Sequence, residues 1–229
     1  MRTADLRSAA REVTLRGWAV FHDEDVAAGD TAAMDSLARA CGRPSARDGG
    51  PLWPVAPRAA TGTFSVTSAD TGLHTDAQYH ERPESRFLLF CVRPAWCGGG
   101  LSRLLRTADL LDGLSEAGLD ENDPALLERG VWRWRTPEVF RAAARAPSGA
   151  HAVIGRRGKV RWRYDNLVAT ESGLAGTARR FHRHVEDHPA TETVSLSAGD
   201  VLYCDNSLVL HGRTAFRDPG RLLYRTRLW

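Results

Sequence analysis

Three stretches of the chain set a histidine two residues ahead of an acid: His22-Asp23-Glu24, His74-Thr75-Asp76 and His184-Val185-Glu186. An imidazole and a carboxylate that converge can hold a divalent transition metal. With 8 histidines and 28 acids in 229 residues, about one such pair arises by chance, so context has to discriminate. His184 and Glu186 fall in a helix expected from Ser172 to Asp187, where residues two apart point in nearly opposite directions. His22 belongs to an exposed, acid-rich loop, where solvation accounts for it. His74 and Asp76 leave a glycine-containing segment for extended chain, in which residues i and i+2 share a face. A third ligand is required, and His211 is the candidate: a turn, an apolar strand and a polar bend lead to it, and Gly212 follows. Two histidines and one carboxylate form the donor set of non-haem Fe(II) oxygenases, with the remaining coordination positions open to cosubstrate and oxygen. The competing reading of His211 is a core histidine with a satisfied hydrogen bond.

These residues need a scaffold that brings distant strands together. Helices are expected at Asp5 to Arg16, closed by Gly17, and at Thr31 to Cys41, closed by Gly42, with a short strand at Trp18 to Phe21 between them. Arg43 to Ala60, rich in Pro, Gly and Ala, reads as a long surface loop. Strands follow at 63–67, 86–93, 101–105, 150–154, 159–164, 193–196, 201–204 and from 222 to the C-terminus, with Ile154 to Lys159 as a hairpin connection. Helical insertions are expected at 107–114, 123–130, 137–145 and 172–187. Many short strands around a few helices imply a mainly β fold, a jelly-roll barrel with helical buttresses, and not an alternating parallel sheet. The reading is one domain over residues 1–229, with 1–60 an αβα buttress and loop and 61–229 the barrel core.

Composition narrows the function classes. Apolar residues at 42% and charged residues at 26% exclude a disordered or fibrous chain. The longest apolar run, Phe87 to Val92, is far short of the roughly 20 residues of a membrane helix. No apolar stretch resembling a secretion signal opens the chain, so a cytoplasmic protein is expected. Cys41, Cys91, Cys97 and Cys204 lack C-x-x-C spacing and read as inert thiols. The net charge is +3, and the basic residues, all arginine except Lys159, are interleaved with acids; no nucleic-acid surface is expected.

Four motifs together resemble the taurine/2,4-D dioxygenase superfamily of Fe(II)/2-oxoglutarate enzymes: His74-Thr-Asp76, the turn Gly98-Gly-Gly-Leu-Ser102, Asp205-Asn206 ahead of His211-Gly-Arg213, and Arg221-Leu-Leu-Tyr-Arg225. His74 to His80, Cys91-Val-Arg93 and the run from Asp205 to Phe216 lean towards its clavaminate-synthase-like, amino-acid-hydroxylase branch. The chain departs from that branch in its short length and in having Asp76 where glutamate is frequent. The resemblance implies a double-stranded β-helix of the cupin type and iron held by His74, Asp76 and His211. It further implies 2-oxoglutarate and O2 as cosubstrates, with Arg221 and Ser102 on the far carboxylate of 2-oxoglutarate. Arginine suits that task because its planar fork binds a carboxylate bidentately and stays charged when desolvated.

Arg225, four residues on and about 13 Å along the strand, is left to the substrate or to a structural ion pair. Arg163-Tyr-Asp165 resembles an element lining the substrate pocket of that branch. Asp165 either accepts a substrate ammonium, opposite a carboxylate on Arg225, or caps the turn into Asn166 or pairs with one of the 30 arginines. Arg213, Arg227 and His80 are expected to pack or to support the ligands, and Asp205 or Asn206 to orient them or to shape a turn. The implied activity is hydroxylation of an unactivated C–H bond in a small amino-acid-like or amine-bearing molecule of secondary metabolism. Chlorination is disfavoured because Asp76 fills the position that the superfamily's halogenases leave open. Desaturation or cyclisation on the same cofactor chemistry, and an idle jelly-roll binding module, are the alternatives.

Overall fold

The computed structural model describes residues 3–47, 50–58, 64–114, 117–137, 149–168 and 172–229. The chain opens with helix α1 (Thr3–Arg16), strand β1 (Trp18–His22) and helices α2 (Glu24–Ala27) and α3 (Thr31–Cys41). Asp23 and Asp30 cap α2 and α3, each accepting two backbone N–H groups that the first turn leaves unpaired. Strands β2 (Trp53–Val55), β3 (Thr71–His74), β4 (Arg86–Arg93) and β5 (Ser102–Arg106) follow, then helices α4 (Thr107–Asp112) and α5 (Asp123–Glu128). The chain continues through β6 (Arg133–Trp134), β7 (Leu167–Val168) and helix α6 (Ser172–Glu186). It closes with β8 (Glu192–Val194), β9 (Asp200–Asp205), β10 (Val209–Arg213) and β11 (Leu222–Leu228). None of the described helices is long and apolar enough to cross a membrane.

Two antiparallel sheets face each other, in the orders β1-β9-β4-β11-β2 and β3-β10-β5-β8. The two-residue alternation of strands sorts their side chains into three layers. Phe87, Cys91, Leu104, Leu202, Cys204, Val209 and Leu223 meet between the sheets. Leu88, Phe90, Val201 and Tyr203 point the other way, onto helices α1 to α3. Leu73, Leu105 and Leu210 face a third cluster with Trp132, Trp134, Trp162 and Phe181 of α6. Because Leu73 and Leu210 point outwards, their neighbours His74 and His211 must point between the sheets.

Several expectations change at this level. Residues 1–60 also supply β1 and β2, the two edge strands of the larger sheet. β2 lies inside the expected loop of 43–60, where tertiary pairing with Leu223 to Arg225 imposes a strand on a proline-containing segment. Phe64–Val66 is a 3-10 turn, not part of a strand. Strands expected at 150–154 and 159–164 reduce to isolated bridges, Trp132 to His151 and Ile154 to Val160. The helix expected at 137–145 lies largely outside the described residues.

Candidate metal and cosubstrate site

His211 pairs in register with His74 across β10 and β3, and the register slips between His211 and Arg213. Two steps along β10 therefore match three along β3, a bulge at the site's edge. The imidazole centroids are 4.4 Å apart, and ligand atoms of His74, Asp76 and His211 all lie within 4.8 Å of one another. Each ring has an aromatic neighbour, Phe64 at 4.8 Å from His74 and Phe87 at 4.4 Å from His211.

Each arm is held from outside. His74 Nδ1 donates to the Gly72 carbonyl at 2.8 Å, which leaves the Nε2 lone pair for a ligand. Glu186 of α6 accepts the Leu73 N–H at 2.6 Å while pairing with Arg103 at 2.9 Å, pinning β3 beside His74. A Cβ on Gly72 would stand 2.7 Å from Glu186 Oε1, so a side chain there would push that carboxylate from its present position. Asp76 Oδ1 accepts from Arg225 Nη1 at 2.9 Å. Asn206 accepts the Asp76 N–H at 2.7 Å and donates to the carbonyls of Asp76 and Glu84 at 3.0 and 2.8 Å. Asp205 instead caps the turn into β10, accepting from Ser207 N and Leu208 N. The two candidate supports thus divide the roles.

Burial drives His74 well below the usual imidazole range, assisted by His211 and Arg163, and pushes His211 down to about 4. Burial also works to raise the Asp76 carboxyl, but Arg225, His211 and Arg227 outweigh it and hold the group below the usual carboxylate range. The result is two neutral imidazoles and one carboxylate, the protonation states metal ligation needs. Asp76 Oδ2 and His211 Nδ1 are buried without a hydrogen bond. Unsatisfied polar atoms of this kind are rare in packed protein, and here they belong to the donor set that suits iron(II).

Arg221 and Ser102 lie away from the metal cluster but on the same inward faces. Ser102 opposes Arg213 two residues beyond the Leu104 to His211 pair, about 7 Å along the strand. Arg221 is buried, donates Nη2 to the Gly100 carbonyl at 3.2 Å, and has no hydrogen bond at Nη1. Among the described residues no carboxylate pairs with it; the Phe216 ring sits 4.9 Å from its Cζ. Gly100, at φ 72, makes this possible, since a Cβ there would meet Arg221 Nε at 2.7 Å.

Arg213 ties down the segment before β3 through the Thr67 and Ala69 carbonyls, both at 2.7 Å. Arg227 lies 3.7 Å from buried Glu84, and burial pushes His80 down to about 4. Asp165 is gripped bidentately by Arg163 at 2.7 and 2.9 Å. The Arg163 guanidinium lies 4.0 Å over the Phe64 ring. Phe64, beside His74 and under Arg163, was not singled out by the sequence, whereas Arg163 entered through the resemblance of Arg163-Tyr-Asp165. Of the other histidine–acid pairs, His184 bonds the Leu110 carbonyl, and His22 pairs with Asp200 at 3.1 Å at the end of β1.

Residues 4–227 match the family model described as taurine catabolism dioxygenase TauD, TfdA family. The chain belongs to the TauD/TfdA dioxygenase family. It is an Fe(II)/2-oxoglutarate-dependent dioxygenase, and the jelly-roll expectation holds. No curated protein matches this dioxygenase. Among solved structures it is similar to an asparagine oxygenase in complex with Fe(II), 2S,3S-3-hydroxyasparagine and succinate. The TM-score is 0.79 at 19% identity, over 98% of this chain and 78% of that one. It is also similar to the non-heme iron oxygenase OrfP with Fe and alpha-ketoglutaric acid, at TM-score 0.71 and 18% identity, over 100% of this chain and 80% of the other. OrfP in complex with Fe, succinate, and (3S)-hydroxy-L-Arg gives TM-score 0.69 at 15% identity, over 99% of this chain and 79% of that one.

Proposed function

We propose that this dioxygenase hydroxylates a C–H bond of a small amino-acid-like, amine-bearing substrate, with His74, Asp76 and His211 as the iron ligands. The observation that carries the metal assignment is the triad itself, three buried donors within 4.8 Å. With iron bound, 2-oxoglutarate and O2 supply the oxidising chemistry, in which the oxoacid is split to succinate and CO2 and one oxygen atom enters the substrate C–H bond. Arg221 and Ser102 take the far carboxylate of 2-oxoglutarate. Ser102 lies about 7 Å beyond His211, a fit for a five-carbon diacid whose carboxyl carbons are about 5 Å apart. Arg221 contributes a buried positive charge with no carboxylate partner among the described residues, which the cosubstrate's anion would neutralise.

For the substrate, a cavity of about 310 Å³ opens beside His74. Its walls include Phe64, Tyr164, Asp70, Asp165 and Glu186, aromatic rings and carboxylates that support an amine, while Arg225 lies outside these walls, on Asp76. Asp165 is 42% exposed, so its carboxylate can accept an ammonium while keeping Arg163. Arg225 bonds Asp76, and a guanidinium carries five N–H donors in a planar fork, so one side chain would orient both the iron ligand and the substrate carboxylate. The solved asparagine oxygenase and OrfP complexes, which hold hydroxylated amino acids, support this substrate class. A cytoplasmic location fits such a free small molecule.

The test is a screen of free amino acids and simple amines for stimulated succinate release by the Fe(II)-loaded enzyme. Stimulation by free amino acids with a product gaining one oxygen atom is expected. Stimulation only by amine-free acids, or only by carrier-tethered substrates, would remove the Arg225 and Asp165 clamp.

A further inference from the structure

Asp76 does not sit on a regular strand. β3 ends at His74, Thr75 N–H pairs with the Trp162 carbonyl at 2.8 Å, and the chain then turns. The turn depends on Ala77, which is 2% exposed and has φ 58. Only one other described non-glycine residue, Arg157 in an exposed turn, has positive φ. In that region a side-chain Cβ crowds the following carbonyl, so alanine there is strained and persists only where its surroundings over-determine it.

The surroundings that hold it come from a distant part of the sequence. Asn206 binds the peptide groups on both sides of Asp76, through its N–H at 2.7 Å and its carbonyl at 3.0 Å. Its second amide proton goes to the Glu84 carbonyl at 2.8 Å, and its own N–H donates to Ser85 O at 2.8 Å. All of this lies in buried surroundings, with Asn206 itself 3% exposed. The Ala77 carbonyl accepts His80 N–H at 2.9 Å, closing the turn beyond the strained residue. Asn206 also belongs to the connection between β9 and β10, five residues before His211. One carboxamide therefore joins the connection that leads from one sheet into β10, and so to one proposed ligand, to the turn that carries another.

We propose that Asn206 is a positioning residue that holds the turn at Ala77 in its strained left-handed form and thereby aims the Asp76 carboxylate at the metal position. The proposal rests on the metal-ligand assignment of Asp76. Asn206 and Ala77 should then be energetically coupled. Without the carboxamide the alanine turn relaxes and Asp76 swings away, whereas glycine at 77 adopts the same backbone without strain and has less need of the clamp.

The experiment is a double-mutant cycle on the full chain, read by Co(II) titration through its visible absorption, with urea unfolding of the metal-free proteins alongside. Asn206→Asp keeps the acceptor for Asp76 N–H but loses both donated hydrogen bonds, and should weaken Co(II) binding about 10- to 100-fold. Ala77→Gly alone should bind Co(II) as the unmodified protein does and be no less stable. The double variant should recover affinity about fivefold or more over Asn206→Asp. Unchanged Co(II) affinity in Asn206→Asp, whatever its stability, overturns the positioning role. A double variant as weak as Asn206→Asp overturns the coupling through Ala77. If Asn206→Asp does not fold, Asn206→Ser takes its place in the cycle. Failure of the unmodified protein to bind Co(II) would instead refute the metal site itself, a result separable from both.

Discussion

Arg221 should make the enzyme less stable and the cosubstrate bind more tightly, and the two effects can be separated by Arg221→Met. Arg221 is 3% exposed and its Nη1 lacks a hydrogen bond; among the described residues its guanidinium meets the Gly100 carbonyl and the face of Phe216. Burial lowers its pKa from the usual guanidinium value. A charge removed from water without a counter-ion destabilises the fold, and an apolar residue of similar length removes that cost. By analogy with buried ionic groups replaced by hydrophobic ones, the substitution should stabilise the cosubstrate-free protein by about 1–4 kcal/mol. For a chain of this size each kcal/mol raises Tm by roughly 2–4 °C. Binding of 2-oxoglutarate should move the other way. Losing a buried guanidinium–carboxylate pair costs about 2–5 kcal/mol, or roughly 30- to 4,000-fold in Kd.

Scanning calorimetry without cosubstrate reads the first effect. Anaerobic titration of the Fe(II) protein with 2-oxoglutarate, followed by the weak visible charge-transfer band of the chelate, reads the second. A variant that is less stable without cosubstrate and binds 2-oxoglutarate normally would refute both halves of the reasoning. If Arg225→Met shows the affinity loss in its place, the roles of the two arginines are exchanged.

Other outcomes follow from the same geometry. Gly100→Ala forces a Cβ to within 2.7 Å of Arg221 Nε at a backbone φ of 72, so it should lower Tm and weaken 2-oxoglutarate binding together; normal 2-oxoglutarate affinity would contradict the placement of Arg221. His74→Ala, Asp76→Ala and His211→Ala should each stop succinate formation and weaken Fe(II) binding, and normal turnover in any one would remove that residue from the metal site. Asp165→Asn should weaken substrate binding while leaving 2-oxoglutarate binding and substrate-independent decarboxylation intact, as substrate-dependent and uncoupled succinate release can show. His80, pushed down to about 4 by burial, is neutral in the fold while its unfolded form protonates near 6.5, so its contribution to stability falls as pH drops from about 6.5 to 4. In urea unfolding across that window, His80→Gln should lose less stability than the unmodified protein, by roughly 1–2 kcal/mol at pH 4 after discounting for solvent screening of a half-buried ring; parallel curves would contradict the shift.

How much of this was legible in sequence varies with the range of the interaction. The helices at 31–41 and 172–186 are visible because spacing and capping act within a few residues; Asp30 and Gly42 bound the first of them. Strand β4 is a largely apolar run of eight residues at Arg86–Arg93, recognisable without its neighbours. Strand β2 is not, because Trp53–Val55 becomes a strand only by pairing with β11 some 170 residues later. The extended strands expected at 150–154 and 159–164 fail for the converse reason: local β-propensity met no continuous partner, and two bridges remained.

At the site, the sequence by itself determined the donor types: two histidines, one carboxylate, and arginines spaced to face inwards on a strand. Those facts are local, because alternation along a strand fixes which residues share a face. Only the tertiary structure decided which group each guanidinium meets. Arg225 reaches Asp76 and Arg221 stops at Gly100, although both project from the inward face of the same segment. It also separated Asp205 from Asn206, adjacent residues whose side chains turn to a local cap and to a peptide 130 residues away. The physical reason is that a side chain's partner is set by what packs opposite it. Alternation gives the face, while strand register and the folding of distant loops set the distance and the charge that side chain meets.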